Sequence, residues 1–398
     1  MGKRSMIIDK KRVALVRAAA ILFAVAVFVA LPLQAHAAEA HVSEKALSYS
    51  VKDGEVTITG CSELAAGVLE IPAELEGLPV TAIGDNAFKD CDKITSVIIP
   101  DGVTSIGDGA FQGCSAMTAV TIPDTVTEIG KSAFRLCGSL ASVVIPDGVT
   151  SIENSTFQSC HSLVSVTIPA SVTEIGTDAF DSCPMLETIV LPEGLTAIGG
   201  NAFEGCESLK SIAIPGGVEE IKSYTFNGCK SLEMLELSEG LKVIHKFAFA
   251  GCESLQSLIT PESVERIDTA AFSDCGELTW AVLNGSFTEL TAQAVFQDCG
   301  ALETLIINAP VECFGGGGSS APMLRNCTSL TTVYLPDTLF EISSHTFMHS
   351  PLADIYFAGS EQDWAGVGVG DDNAMLYDAV VHYGTVLCLG EDGNYTFE

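Results

Sequence analysis

Residues 122–140 read IPDTVTEIGKSAFRLCGSL, and stretches of the same pattern recur along most of the chain. The phenylalanine of this stretch marks the period, because nine phenylalanines from Phe88 to Phe272 follow one another at intervals of 23 residues. A period this regular indicates an internal repeat. A length of 398 residues would ordinarily suggest two or three domains. The internal repeat overrides that inference and determines the fold.

Each repeat contains a short strand followed by a second apolar segment. Val143 and Ile145 are two residues apart and therefore lie on one face of a strand. Pro146 follows and ends the strand, because proline has no N–H for a ladder hydrogen bond. Apolar residues such as Val126 and Ile129 then close the coil on its far side.

A unit of this size cannot bury its apolar surface alone, so each coil must stack on its neighbours. The sequence predicts a repeat solenoid, a curved rod of about 12 stacked coils of 23 residues with short parallel β-strands.

The unit at residues 122–140 resembles the BspA-type leucine-rich repeat, and the resemblance covers about residues 50–385. Residues 54–58 and 78–84 resemble the opening unit of that family, and residues 355–364 resemble its closing unit. The resemblance implies a leucine-rich-repeat-like fold. Family members are typically surface or secreted proteins of host-associated microbes, which implies attachment to host or neighbouring-cell proteins, although a repeat fold accommodates many ligands.

The repeat boundaries divide the chain into five segments. We expect a signal peptide at 1–37, a capping hairpin with the first repeat at 38–82, repeats at 83–350, a closing repeat at 351–385, and a terminal hairpin or the start of a missing module at 386–398. Phe296 follows Phe272 after 24 residues, and Leu324 takes the next slot after 28. The longer step contains Gly315–Gly318 and predicts a loop insertion at 313–322.

The N-terminal segment has the features of an export signal. Basic residues precede an apolar run from Ala18 to Leu33, and Ala35 and Ala37 predict cleavage before Ala38. The run is shorter than the roughly 20 residues of a membrane span. An uncut signal anchor is the alternative. We therefore expect a secreted or cell-surface protein, with no membrane insertion after signal removal.

The charge of the chain excludes some partners. The whole sequence has a net charge of −32, and removal of six of its 19 basic and one of its 51 acidic residues leaves 13 against 50, or −37. Such a surface repels phosphate backbones and anionic lipids, so we expect no nucleic-acid partner. Cationic protein patches or divalent ions are compatible with this charge, and solubility alone would also explain it.

The cysteines follow the repeat. Eleven of the fourteen lie three residues after the phenylalanine slot and predict a structural core column of free thiols: Cys91, Cys114, Cys137, Cys160, Cys183, Cys206, Cys229, Cys252, Cys275, Cys299 and Cys327. The chain has no Cys-x-x-Cys pair, so we expect no metal site. Cys61, Cys313 and Cys388 fall outside the column, and the sequence leaves open whether any of them form disulfides.

The sequence shows no catalytic motif, and we expect neither enzymatic activity nor a cofactor. His345 and His349 have the spacing of a zinc-protease pair but lack the glutamate between them. Gly130-Lys131-Ser132 imitates the end of a phosphate loop without its first glycine. Asp371-Asp372-Asn373 lacks the alternating ligands and later glutamate of a calcium loop.

The strand residue between the two buried positions points outward, onto the concave face that the strands are expected to line. This slot is mostly apolar or β-branched, and large aromatic residues tend to anchor interfaces. The candidate binding residues are Val144, Val190, Ile259, Trp280, Val282, Ile306, Tyr334 and Tyr356. The intrinsic preference of strands for Val, Ile and Thr is the competing explanation.

These features together predict an extracellular protein-binding or adhesion module that presents its concave repeat surface to host or neighbouring-cell proteins. The partner is expected to be an extracellular or cell-surface protein. A passive spacer or surface-layer component without a specific ligand is the alternative.

Overall fold

A computed structural model describes residues 42–62, 64–316, 318–319, 321–390 and 395–398. The predicted signal peptide at 1–37 lies outside the described residues. The described chain divides into two compact units, residues 42–209 and residues 210–398.

The first unit contains a 3-10 helix at Glu44–Ala46 and a succession of short strands. In chain order they are β1 (Leu47–Lys52), β2 (Glu55–Cys61), β3 (Gly67–Glu70), β4 (Glu74–Leu75), β5 (Leu78–Ile83), β6 (Ile94–Ile98), β7 (Ser105–Ile106), β8 (Ala119–Thr121), β9 (Glu128–Ile129), β10 (Ser142–Val144), β11 (Ser151–Ile152), β12 (Ser165–Thr167), β13 (Glu174–Ile175), β14 (Thr188–Ile189) and β15 (Ala197–Ile198).

In each full coil of this unit the first strand, which we call the longer strand, has three to five residues except for the two-residue β14, and the second strand has two residues. The longer strands pair in parallel in the orders β3-β6-β8 and β10-β12-β14, and the two-residue strands β11-β13-β15 form a second parallel sheet. Register follows the sequence period, since Val143 pairs with Val166 of the next coil. The opening strands β1 and β2 form an antiparallel pair, and β2 joins β5 in parallel.

The turn that carries the phenylalanine needs two residues in the left-handed region. Ser132 (φ 55°) and Leu136 (φ 60°) flank Ala133-Phe134-Arg135. Glycine at position 130 is required by close packing, because a Cβ there would lie 2.6 Å from the backbone nitrogen of Asp108. Gly130-Lys131-Ser132 is thus part of the coil's turn.

The core of the first unit is a stack of phenylalanine rings. Phe88 to Phe203 are fully buried, and successive rings have centroids 5.1 to 5.5 Å apart with nearly parallel planes. The turn backbones stack with them, because the N–H groups of the ring residues from Phe88 to Phe180 donate to the coil that follows, as Phe134 does to the carbonyl of Thr156 at 2.9 Å. Ring stacking and backbone pairing therefore repeat at the same period.

The second unit continues the repeat and ends in a hairpin. Its strands are β16 (Ser211–Ile214), β17 (Glu220–Ile221), β18 (Met234–Leu237), β19 (Val243–Ile244), β20 (Ser257–Ile259), β21 (Arg266–Ile267), β22 (Trp280–Asn284), β23 (Glu289–Leu290), β24 (Thr304–Asn308), β25 (Cys313–Phe314), β26 (Thr332–Leu335), β27 (Glu341–Ile342), β28 (Asp354–Phe357), β29 (Gly368–Val369), β30 (Val380–Tyr383), β31 (Leu387–Leu389) and β32 (Tyr395–Phe397). Two short helices, α1 (Glu361–Trp364) and α2 (Met375–Asp378), lie in the closing segment.

The longer strands of this unit form the six-stranded parallel sheet β20-β22-β24-β26-β28-β30 and the pair β16-β18. The strands β31 and β32 pair only with each other, in antiparallel fashion. Part of the expected loop insertion is ordered as a strand, because Cys313 and Phe314 form β25 beside β23 and β27. Phe314 is fully buried and contacts Phe347, with ring centroids 5.7 Å apart.

The prediction of a repeat solenoid with short parallel strands is confirmed, and the structure has about 14 stacked turns of about 23 residues. The number exceeds the expected 12 because the opening and closing segments also pair in parallel with the repeats. At the start β3 pairs with β6, and at the end β28 pairs with β26 of the repeats and with β30.

Candidate binding face

The outward positions on the longer strands of the first unit, or directly after the strand for Val190, form an exposed row in which aliphatic side chains alternate with threonines. We define the strand-face stripe as Ile98, Thr121, Val144, Thr167 and Val190. The three aliphatic side chains are 41%, 58% and 44% exposed, and both threonines are exposed between them. Neighbouring members pair across strands, as Ile98 does with Thr121 and Val144 with Thr167.

Carboxylates border the strand-face stripe at one end of the strands. An exposed acidic residue lies three positions after a stripe member in four of the five coils, as Asp101, Asp124, Asp147 and Glu193. A row of aliphatic side chains beside a row of carboxylates offers apolar contact and attracts cationic groups at the edge. This arrangement suits a protein surface that combines apolar and basic side chains.

The equivalent positions in the second unit are covered by the chain itself. Val282, Ile306 and Tyr334 follow one another across paired strands, yet they are 0%, 1% and 7% exposed. They form a buried cluster with Tyr395 of β32. Ile259, Trp280 and Tyr356 are partly buried and pack against the same cluster, together with Leu387 and Phe397.

The hairpin β31–β32 makes this contact mainly through its aromatic side chains. The ring of Phe397 stacks on Tyr334 and Tyr356, with centroids 5.9 Å and 4.1 Å away. Burial raises the pKa of the Tyr334 and Tyr395 hydroxyls, which hydrogen-bond to the backbone of Leu387 and to the side chain of Asn284, respectively. The hairpin therefore fits the face by apolar packing with polar contacts at its edges.

Val282, Ile306 and Tyr334 are therefore buried, whereas the strand pattern predicts that they are exposed to solvent. Alternation along a strand shows which side chains leave the solenoid core, but it does not show that the terminal hairpin, which contains Tyr395, folds back over them. The binding role assigned to these residues stays a prediction.

A groove of about 700 Å³ opens beside the hairpin. Its lining combines apolar residues of the strands and the hairpin with three carboxylates, those of Glu236, Glu239 and Glu262. Two of its polar side chains are joined across coils, since Asn308 Nδ2 donates to Asn284 Oδ1 at 2.8 Å. The groove lies at the side of the covered face and has the same acidic and apolar character as the strand-face stripe.

The cysteine column has a definite hydrogen-bonding role. The Sγ of Cys114 donates to the carbonyl of Phe88 at 3.1 Å, and Cys160 donates to Phe134 at 3.2 Å. Every column cysteine is a free thiol, and all except Cys91 are buried. Burial raises the pKa of Cys114 and Cys183 to about 12, which keeps these thiols protonated as donors.

The motifs that imitate catalytic or metal sites have structural roles. His345 and His349 occupy left-handed turn positions, with φ of 65° and 69°. Asn373 is buried and accepts a hydrogen bond from the N–H of Phe347. Asp372 Oδ2 lies 2.9 Å from Nε2 of His345. Across the described residues, no group of three or more His, Cys, Asp or Glu side chains is arranged to hold a metal ion.

Comparison with known families gives a match to the BspA-type leucine-rich repeat region at residues 81–210, 196–317 and 319–364, in six copies. The chain belongs to the BspA-type leucine-rich repeat family. Membership of this family supports a general role in protein interaction. Members of the family are typically cell-surface or secreted proteins. They are generally binding scaffolds without enzymatic activity.

Solved structures of bacterial repeat proteins are similar to this chain. A leucine-rich repeat protein from Bacteroides ovatus is 22% identical with a TM-score of 0.56, covering 85% of this chain and 98% of its own. A leucine-rich cell surface protein from Faecalibacterium prausnitzii is 26% identical with a TM-score of 0.48, covering 83% of this chain and 97% of its own. A search of curated proteins gave no match.

None of the helices in the described parts of the chain has the length and apolarity needed to cross a lipid bilayer.

Proposed function

We propose that this chain is an extracellular protein-binding module that attaches to host or neighbouring-cell proteins through its strand face. The observation that carries the proposal is the exposure of Ile98, Val144 and Val190 in one row of the first unit. Exposed aliphatic side chains that alternate with threonines in one row on an acidic surface favour a protein partner, since isolated exposed apolar residues would need no explanation.

Among the predicted binding residues, Val144 and Val190 are the ones that the partner contacts first in this proposal. Val282, Ile306 and Tyr334 form a buried cluster with Tyr395 of the hairpin, and Ile259, Trp280 and Tyr356 pack against that cluster. A partner could reach the buried members only after the hairpin moved. The acidic border of the strand-face stripe favours a partner with basic groups around an apolar centre, because charge complementarity directs encounter and orientation.

The test is saturable binding of residues 38–398 to immobilised extracellular matrix proteins, with fibronectin and laminin as probes in surface plasmon resonance. Saturable binding that weakens as salt increases supports the proposal, because screening reduces the contribution of the acidic border. A response that stays linear with concentration for every probe supports the spacer alternative instead.

A further inference from the structure

The thiols of Cys61 and Cys91 are in contact at the junction between the opening hairpin and the first full coil. Cys61 is the last residue of β2, and Cys91 ends the turn that begins at Gly84. The two segments run side by side, because Gly84 N donates to the carbonyl of Ile58 at 2.8 Å and a Cβ on Gly60 would lie 4.0 Å from the carbonyl of Ala87. The side chains of Cys61 and Cys91 hydrogen-bond to each other.

Cys91 differs from the rest of its column in both exposure and environment. The next column cysteine, Cys114, is buried and donates to the carbonyl of the phenylalanine 26 residues earlier. Position 65, which is 26 residues before Cys91, is an alanine in the opening segment rather than a repeat phenylalanine. Cys61 is thus the sulfur neighbour of the first column position, and both cysteine residues are partly exposed.

The contact also changes the pKa values of the two thiols in opposite directions. The hydrogen bond from the Cys91 thiol lowers the pKa of Cys61, and the same bond together with burial raises the pKa of Cys91. A thiolate is the attacking species in disulfide exchange, so Cys61 is the sulfur that reacts first.

We propose that Cys61 and Cys91 form a disulfide when the protein meets a small-molecule or protein disulfide of an oxidising compartment. The Cys61 thiolate attacks one sulfur of the oxidant, forming a mixed disulfide and releasing the first thiol. Cys91 then loses its proton and attacks Cys61 Sγ, which forms the Cys61–Cys91 bond and releases the second thiol. The oxidant is reduced by two electrons, and its two thiols take up the two protons lost by the protein.

The bond would fix the opening hairpin to the repeats. It closes a loop of about 30 residues, which restricts the unfolded chain, and it does so at the end of the solenoid where a coil has only one full neighbour. The buried cysteines from Cys114 onward would take no part, because the oxidant cannot reach them in the folded protein.

The experiment treats folded residues 38–398 with oxidised glutathione, blocks remaining thiols with N-ethylmaleimide after unfolding, and maps unreduced peptides by mass spectrometry. We expect a peptide that joins Cys61 to Cys91, the mass loss of two hydrogens, and a higher melting temperature than in the reduced protein. Cys61→Ser and Cys91→Ser each abolish the linked peptide and the temperature difference, whereas Cys313→Ser, at another partly exposed thiol, leaves both unchanged.

Two results would overturn the proposal. One is lasting glutathione attachment at Cys61 or Cys91 without the linked peptide. The other is a disulfide that pairs either residue with a different cysteine. Because the mass measurement is made on the wild-type protein, the outcome does not depend on how well the serine variants fold.

Discussion

The ring of Phe397 lies on the ring of Tyr356, with centroids 4.1 Å apart and planes inclined by 14°. Tyr356 in turn stacks on His382 at 4.6 Å, so the terminal hairpin, β28 and β30 share one continuous aromatic contact. Because of this contact, the predicted binding residues of the second unit lie at or beside a face that the hairpin covers. Those of the first unit, Val144 and Val190, are exposed.

Phe397→Ala should loosen the hairpin and uncover the row from Val282 to Tyr334. Phe397 is only partly buried, so we expect a loss of about 2 kcal/mol, below the usual range for a core phenylalanine. Trp280 packs against the same cluster, and its fluorescence should shift to longer wavelength as water reaches it. Val386→Ala, at a 58% exposed hairpin position, is the control and should leave the emission unchanged. An unshifted spectrum for Phe397→Ala would mean that the hairpin does not shield this face.

Phe134→Ala should remove one ring from the core stack. The ring lies 5.4 Å from Phe111 and 5.5 Å from Phe157, and it is fully buried. Loss of a buried phenylalanine costs about 3–5 kcal/mol of unfolding free energy. Phe340→Ala changes the same residue type at a 60% exposed position and should cost about 0.5 kcal/mol or less in urea unfolding. Equal effects of the two substitutions would contradict the stacked core.

Because the buried thiols resist ionisation in the folded protein, we expect the protein to lose stability in alkaline solution. The pKa of Cys183 is raised by burial from 9.0 to about 12, so below pH 9 the thiol is protonated in both the folded and the unfolded protein. Between these values the unfolded thiol ionises while the folded one does not, and the free energy of unfolding falls as pH rises.

Urea unfolding at about pH 8 and about pH 10 measures this loss of stability. Cys183→Ala removes one such group and should reduce the difference between the two pH values. If the variant and the wild type lost the same free energy, the alkaline effect would have to arise from other groups.

Much of the fold could be predicted because its information is local and repeated. The spacing from Phe88 to Phe272 sets the coil length, and the alternation at Val143 and Ile145 sets the buried face of each strand. The same repetition explains why cysteine occupies a fixed position after the phenylalanine. Its thiol donates a hydrogen bond to the phenylalanine carbonyl of the preceding coil.

The remaining features depend on contacts without a repeating spacing. Nothing in the strand pattern of Val282 and Ile306 indicates that Tyr395 packs on them from another sheet. Cys61 lies outside the 23-residue register, so its contact with Cys91 follows from how the opening hairpin meets the first coil. Phe314 is likewise outside the register, and its burial follows from an extra strand within the expected loop.

The most direct test of the account is the affinity of a Val144→Ser, Val190→Ser double variant for a matrix protein that binds residues 38–398. Leu136→Ser is the matched control, because Leu136 is 41% exposed in the same unit but lies in a turn away from the strands. We predict that the double variant binds at least about tenfold more weakly, equivalent to about 1.4 kcal/mol, and that the control binds as the wild type does. An unchanged affinity for the double variant would contradict binding through the strand-face stripe.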